Sequence, residues 1–280
     1  MIRALIAAAA LLATPALADS PQRVVSLGGA VTEIVVALGA GDLLVGRDST
    51  STYPAQVLEL PDVGYVRALS PESVLSLGPD LILAEATAGP AEAIEVLQET
   101  GVGYVALPEK LTPEGVTQKI ALVGHVLGRE AEAVALTAEF EARMAEVRRA
   151  AAQVQTPKRV LFVLSLQGGR VMAGGAGSSA EAIIQLAGGV NAAQGFHGYK
   201  QMTDEAVLQA APDVILMMDR RGHLAITPED IRSHPALSAT PAAMNGDIQR
   251  LDGMLLLGFG PRTPQGALAL NRALYGAADS

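Results

Sequence analysis

Along the chain, short apolar runs alternate with stretches whose apolar residues recur every three or four positions. Val24-Val25-Ser26-Leu27 predicts a buried strand, Gly28-Gly29 a turn, and Val31 to Leu38 a helix ending at Gly39. Leu43-Leu44-Val45, Leu81-Ile82-Leu83-Ala84 and Tyr104-Val105-Ala106 predict further strands, with helices over Pro71 to Leu77 and Ala91 to Thr100 between them. Strands that alternate with helices bury their apolar faces best as a mostly parallel α/β sheet.

The pattern changes at Glu130. Ala133, Leu136, Phe140, Met144, Val147, Ala151 and Val154 follow at helical spacing, with charges filling the other positions. This predicts one amphipathic helix of about 25 residues, roughly 37 Å long at 1.5 Å per residue and able to run across two lobes. Gln155-Thr156-Pro157 ends it, and Val160 to Leu164 starts the strand and helix alternation again.

The second half repeats the first. The segment Ser70 to Leu83 aligns without a gap on Thr203 to Leu216, and seven of the fourteen positions are identical, among them Glu72 with Glu205 and Pro79-Asp80 with Pro212-Asp213. A weaker match sets Glu33 to Gly41 against Glu181 to Gly189 in the same order. The expected fold is therefore two similar α/β lobes with parallel sheets, over residues 19–128 and 157–280. They are joined by a bridging helix over 129–156, with a ligand cleft between the lobes.

The ends and the composition narrow the function. Met1-Ile2-Arg3, an apolar run from Ala4 to Ala13 and Ala16-Leu17-Ala18 read as a secretory leader over residues 1–18, cleaved after Ala18. The run falls short of the roughly 20 residues a membrane-spanning helix needs, so a mature periplasmic chain without membrane insertion is expected. The sequence contains no cysteine, which rules out a lipid anchor on Cys, disulfides, zinc thiolate sites and a Cys nucleophile. A formal charge of −9 without a basic stripe argues against a nucleic-acid partner.

Enzyme signatures are missing too. There is no Gly-x-Ser-x-Gly elbow, no His-Glu-x-x-His helix and no phosphate loop ending in Gly-Lys-Ser/Thr, so no catalytic residue is assigned. Gly101-Val102-Gly103 follows a helix and enters a strand, the reverse of a dinucleotide-binding turn. Gly174 to Ser179 precedes a helix and could hold an anion, or be a plain connection. His125, His197, His223 and His234 show no metal-ligand spacing. His125 reads as a packed core or surface residue of an apolar helical stretch, and His234 as an exposed loop residue before Pro235.

Pro61-Asp62-Val63-Gly64-Tyr65-Val66-Arg67 is the segment with specific chemistry. In a short extended piece Tyr65 and Arg67, two apart, would point to the same side. A phenol normally titrates near 10, but ferric iron and an adjacent guanidinium both favour the phenolate. The pair would then serve as a hard anionic ligand with its own charge partner, and tyrosinate is an axial ligand of haem. The same residues also fit a surface turn whose Tyr covers a loop. Aromatics make up only 3% of the chain, so each Tyr is a candidate.

Arg23 to Gly29, Val31-Thr32-Glu33, Gly39 to Asp42, Arg47 to Ser51, Leu60 to Tyr65 and Leu257 to Gly260 together resemble the periplasmic haemin-binding proteins of ABC-type haem importers. The wider class also serves cobalamin and ferric siderophores. The resemblance implies two lobes bridged by one long helix, ferric haem as the transported ligand, and Tyr65 as the axial iron ligand with Arg67 beside it. It also implies that Glu72 and Glu205, one per lobe, dock into the permease subunits of an inner-membrane ABC transporter. Read without it, each is a carboxylate in the first turn of a helix, where the dipole favours it.

Some members carry a second-lobe histidine in a Ser-His-Gly-Gly segment, where this chain has Ser165-Leu166-Gln167-Gly168-Gly169. His197 or Tyr199 could instead cover the other haem face, and Arg170 or Lys200 could meet the propionates. A polar loop without ligand contact fits those four residues as well. The alternatives are a ferric siderophore or cobalamin as cargo in the same fold, and a haem enzyme, which the missing distal acid-base pair disfavours.

Overall fold

The computed structural model describes residues 21–219 and 226–276. The expected leader, His223 and the last four residues of the chain lie outside the described residues.

Four strands form the first sheet: β1 (Val24–Leu27), β2 (Leu44–Arg47), β3 (Leu81–Glu85) and β4 (Gly103–Leu107). Every pairing is parallel, in the order β2-β1-β3-β4. Around it lie α1 (Gly29–Ala37), α2 (Pro71–Leu75), α3 (Ala91–Glu99) and α4 (Pro113–Val126). Helix α1 starts two residues before the expected Val31, because Gly28 at φ 122° turns the chain and its carbonyl accepts from Thr32 N–H at 3.1 Å. Helix α4 begins as its sequence dictates. Thr112 caps it by accepting from Gly115 N–H, and Pro113 fills the first position, where no amide donor is needed.

Helix α5 (Glu130–Ala152) is the long connection, and it ends two residues before the expected Val154. At 1.5 Å per residue it is about 35 Å long. Ala133, Phe140, Met144 and Val147 of its apolar stripe are buried, and they pack against α4 on one side and against the last helix of the chain on the other.

The second lobe contains β5 (Arg159–Gln167), β6 (Arg170–Gly174), α6 (Ser179–Leu186), β7 (Val190–Asn191), β8 (Tyr199–Met202), α7 (Asp204–Ala210) and β9 (Val214–Asp219). There follow α8 (Pro228–Ser233), α9 (Pro235–Ser238), α10 (Pro241–Asn245), β10 (Ile248–Asp252), α11 (Gly253–Leu257) and α12 (Thr263–Tyr275). Its sheet runs β10-β9-β5-β6-β8, with β7 also paired to β5. Here the expectation of parallel sheets in both lobes needs correction, since this sheet is mixed and β6 pairs antiparallel to both β5 and β8. Gly168 and Gly169, at φ 60° and 72°, close the two-residue hairpin that makes this reversal possible.

Strand alternation splits the core into three clusters. Val24, Leu83, Val160, Phe162 and Leu216 face one that also takes in α4, α5 and α12, so a single apolar cluster spans both lobes. Val25, Ile82 and Ala84 face the outer cluster of the first lobe, and Leu161, Val163 and Ile215 that of the second. Among the described residues no helix is long and apolar enough to cross a membrane.

Candidate functional site

The loop after β2 is pinned along that strand. Arg47 N–H donates to Pro61 O and Val63 N–H returns to Arg47 O, which makes a one-residue parallel bridge between Arg47 and Asp62. The Arg47 guanidinium, 7% exposed, donates to Asp62 Oδ2 at 3.1 Å, while Asp62 Oδ1 accepts from Gly64 N–H at 2.9 Å. Gly64, at φ 101°, makes the turn, with open space where a side chain would stand. This Asp62-Gly64 geometry delivers Tyr65.

Beyond it the extended piece expected for Tyr65 and Arg67 is absent. Ala68 N–H donates to Tyr65 O at 2.8 Å, so Tyr65 to Ala68 form a tight turn with Val66 buried as its anchor. The turn is held against Gly89, whose N–H donates to Val66 O and whose carbonyl accepts from Leu69 N–H. Tyr65 is 46% exposed and Arg67 is exposed beside it; the turn, rather than strand alternation, sets their relation.

A cleft of about 340 Å³ opens between the lobes. Arg67, Glu85, Thr87, Lys110 and Lys119 line it from the first lobe, and Ser178, Ser179 and Tyr199 from the second. Of the residues expected from sequence, the cleft wall takes Arg67 and Tyr199. Tyr65, Arg170, His197 and Lys200 are not part of it. Arg170 opens β6 and donates to Gln201 at 3.1 Å, and Lys200 is exposed on β8. His197 is exposed in the loop that pairs with Ala176, next to the cleft residues Gly177 and Gly198.

Tyr199 is a poor source of phenolate. Its hydroxyl shares a 2.8 Å hydrogen bond with Ser179, and its ring meets Phe162 edge-on at 6.3 Å between centroids. Burial pushes its pKa up, against the opposing effects of Ser179 and Arg67. The Tyr65 hydroxyl, by contrast, makes no hydrogen bond among the described residues.

Four charged cleft residues, Glu85, Glu109, Lys110 and Lys119, escaped the sequence reading, and two of them are buried enough to be shifted. Glu85 ends β3, and burial pushes its carboxyl above the usual range, opposed by the Thr87 hydroxyl at 3.1 Å and by the charges of Arg67 and Lys119. Lys119, 7% exposed on α4, donates to Phe259 O at 2.6 Å; burial pulls its pKa down. The acidic residue that closes the apolar run Leu81 to Ala84 was a usable signal, because ligands of parallel sheets bind beyond the carboxyl ends of the strands.

Behind the cleft lies a buried polar network. Asp48, fully buried, accepts from Gly28 N–H, Thr50 N–H and the Thr50 and Ser51 hydroxyls; Ser51, Thr32 and Ser26 continue it at 2.7 Å steps. With four donors the carboxylate is satisfied, and it fixes the Gly28 turn. The expected exposure of His234 is corrected: it is 6% exposed, its Nδ1 accepts from Ala236 and Leu237 N–H at the start of α9, and its Nε2 donates to Gly169 O at 3.0 Å. His125 is a surface residue, 3.4 Å from Glu130.

Glu72 and Glu205 both lie exposed in the first turns of α2 and α7, and neither forms an ion pair among the described residues. No group of three or more His, Cys, Asp or Glu among the described residues could hold a metal ion.

Known proteins share this two-lobed fold. A family model described as periplasmic binding protein matches residues 24–255. The structure of the periplasmic heme-binding protein BhuT in complex with two hemes is 40% identical, with a TM-score of 0.85, over 90% of this chain and 97% of that one. The apo periplasmic heme-binding protein RhuT from Roseiflexus sp. RS-1 is 36% identical, with a TM-score of 0.87, over 91% and 98%. A vitamin B12-binding protein of Vibrio cholerae serotype O1 is 31% identical over 227 residues, 79% of this chain and 81% of its own.

Proposed function

We propose that this chain, which belongs to the periplasmic binding protein family, captures ferric haem and delivers it to the permease of an inner-membrane ABC importer. Membership makes it a binding protein rather than an enzyme. The observation that carries the haem reading is the pinned loop. It holds an exposed, unbonded phenol at Tyr65 two residues from Arg67, whose guanidinium lines the cleft. Phenolate is a hard donor suited to ferric iron, and a nearby guanidinium favours it. The higher identity to heme-binding structures than to the vitamin B12-binding relative supports the same ligand.

In this reading Tyr65 is the axial iron ligand. Arg67 is its charge partner at the cleft, and Arg170 and Lys200 offer cations at the outer edge of the second lobe. His197 is the remaining candidate to cover the second haem face, since the Tyr199 hydroxyl is committed to Ser179. Glu72 and Glu205, one per lobe at equivalent places of the repeat, would engage two-fold related permease subunits. Export through the leader over residues 1–18 places this in the periplasm.

Cobalamin is the second reading, favoured by the vitamin B12-binding relative. Titrating hemin and cobalamin separately into purified protein decides between them. A tyrosinate-type ferric spectrum that saturates with hemin is the expected result; saturable cobalamin binding without a hemin spectrum would replace haem with the corrinoid.

A further inference from the structure

We propose that Glu85 determines ligand orientation and specificity in the cleft: its carboxylate keeps the anionic edge of the ligand away from the floor and turns it toward the rim, where Arg67 and Lys110 stand. The inference deepens the haem reading and rests on it, because haem carries its two carboxylates on one edge of the macrocycle.

The carboxylate is held in place and lacks a contacting counter-ion. Among the described residues no cation lies within ion-pair distance of it, and its hydrogen bond comes from the neutral Thr87 hydroxyl at 3.1 Å. Lys119 shares the cleft and favours the carboxylate from beyond ion-pair distance, while one of its N–H groups donates to Phe259 O at 2.6 Å. On the opposite side the carboxylate packs over Gly28, where even a methyl group would stand 2.7 Å from Oε2. The missing side chain at Gly28 leaves the room that the Glu85 carboxylate fills.

A carboxylate in this position has no evident structural use. Partly buried charges without a contacting ion pair oppose folding, and those in clefts are candidates for function. In a partly buried cleft, like charges a few ångströms apart repel strongly. The rim is different: Arg67 and Lys110 are exposed cations, with Glu109 the acidic residue beside them. A dianionic ligand edge is thus disfavoured at the floor and accepted at the rim, while the apolar macrocycle enters first.

Capping the ligand's carboxylates separates this role from a structural one. Hemin and its dimethyl ester are titrated into wild type, Glu85→Gln and Glu85→Ala, with Glu85→Asp as the variant that keeps the charge. Loss of the charge is expected to let hemin take a second orientation, read as a second set of haem-methyl proton resonances, with less than about a twofold change in affinity; the ester is expected to show both sets already in wild type, and Glu85→Asp to keep the single set with hemin. Hemin binding in a single, unchanged orientation in both neutral variants would overturn the role of Glu85 alone. If wild type binds neither hemin nor the ester, the haem reading falls and this inference with it.

Discussion

Arg262 grips Glu33 across 229 residues of sequence, with Nε to Oε2 at 3.0 Å and Nη2 to Oε1 at 2.5 Å. Glu33 lies on α1 of the first lobe, and Arg262 lies just before α12. The guanidinium also stacks over Tyr53, 3.7 Å from the ring centroid. Close by, Lys119 ties α4 to Phe259 O, so residues 259–262 are fastened to the first lobe at two points. Together with the apolar cluster common to both lobes, these contacts oppose wide opening of the cleft.

Arg262→Ala should therefore destabilise the protein by about 3 kcal/mol, because it strands a carboxylate that is 7% exposed. Arg262→Lys should recover little, since an ammonium reproduces neither the two parallel hydrogen bonds nor the stacking. Chemical denaturation of both variants and of Glu33→Gln/Arg262→Met measures this. The double variant is expected to lie closer to wild type than Arg262→Ala.

Burial raises the Glu85 pKa above its ordinary 4.5, so the folded state holds that proton more tightly than the unfolded chain does. Its contribution to stability is full below about pH 4.5 and is lost as pH rises through the folded-state pKa. Glu85→Gln should consequently raise the melting temperature of the ligand-free protein at neutral pH, with the difference shrinking toward zero in acid. A difference that grows in acid would contradict the assigned direction.

Tyr65→Phe keeps the ring and removes the oxygen. If the phenolate binds the iron, the ferric charge-transfer band should vanish and haem release should quicken at least about tenfold, with the fold intact by circular dichroism. An unaltered spectrum and release rate would move the iron ligand to His197.

Glu72→Ala/Glu205→Ala should abolish stimulation of the importer's ATPase and leave hemin affinity within about twofold, since both residues lie in exposed helix starts outside the cleft wall. Stimulation at the wild-type level would reduce both residues to helix-start carboxylates.

The sequence by itself determined the features that are written locally. Short apolar runs placed the strands, recurrence every three or four residues placed α5 and its buried stripe, the internal repeat announced a second lobe, and Asp62-Val63-Gly64-Tyr65 marked the loop that the Arg47 bridge then pins. Burial of an amphipathic face leaves a periodic trace in the chain, and turn chemistry leaves its own residues behind. Tertiary structure alone decided the rest. Phe259 finds Lys119 over 140 residues and Arg262 finds Glu33 over 229, distances at which no local pattern survives. It likewise turned Tyr65 to Ala68 where extension was expected, reversed β6 through Gly168-Gly169, and buried His234 by aiming its ring at Gly169. Each of these depends on which backbone groups are left without partners once the elements pack, a condition set only when the two lobes close around their common core.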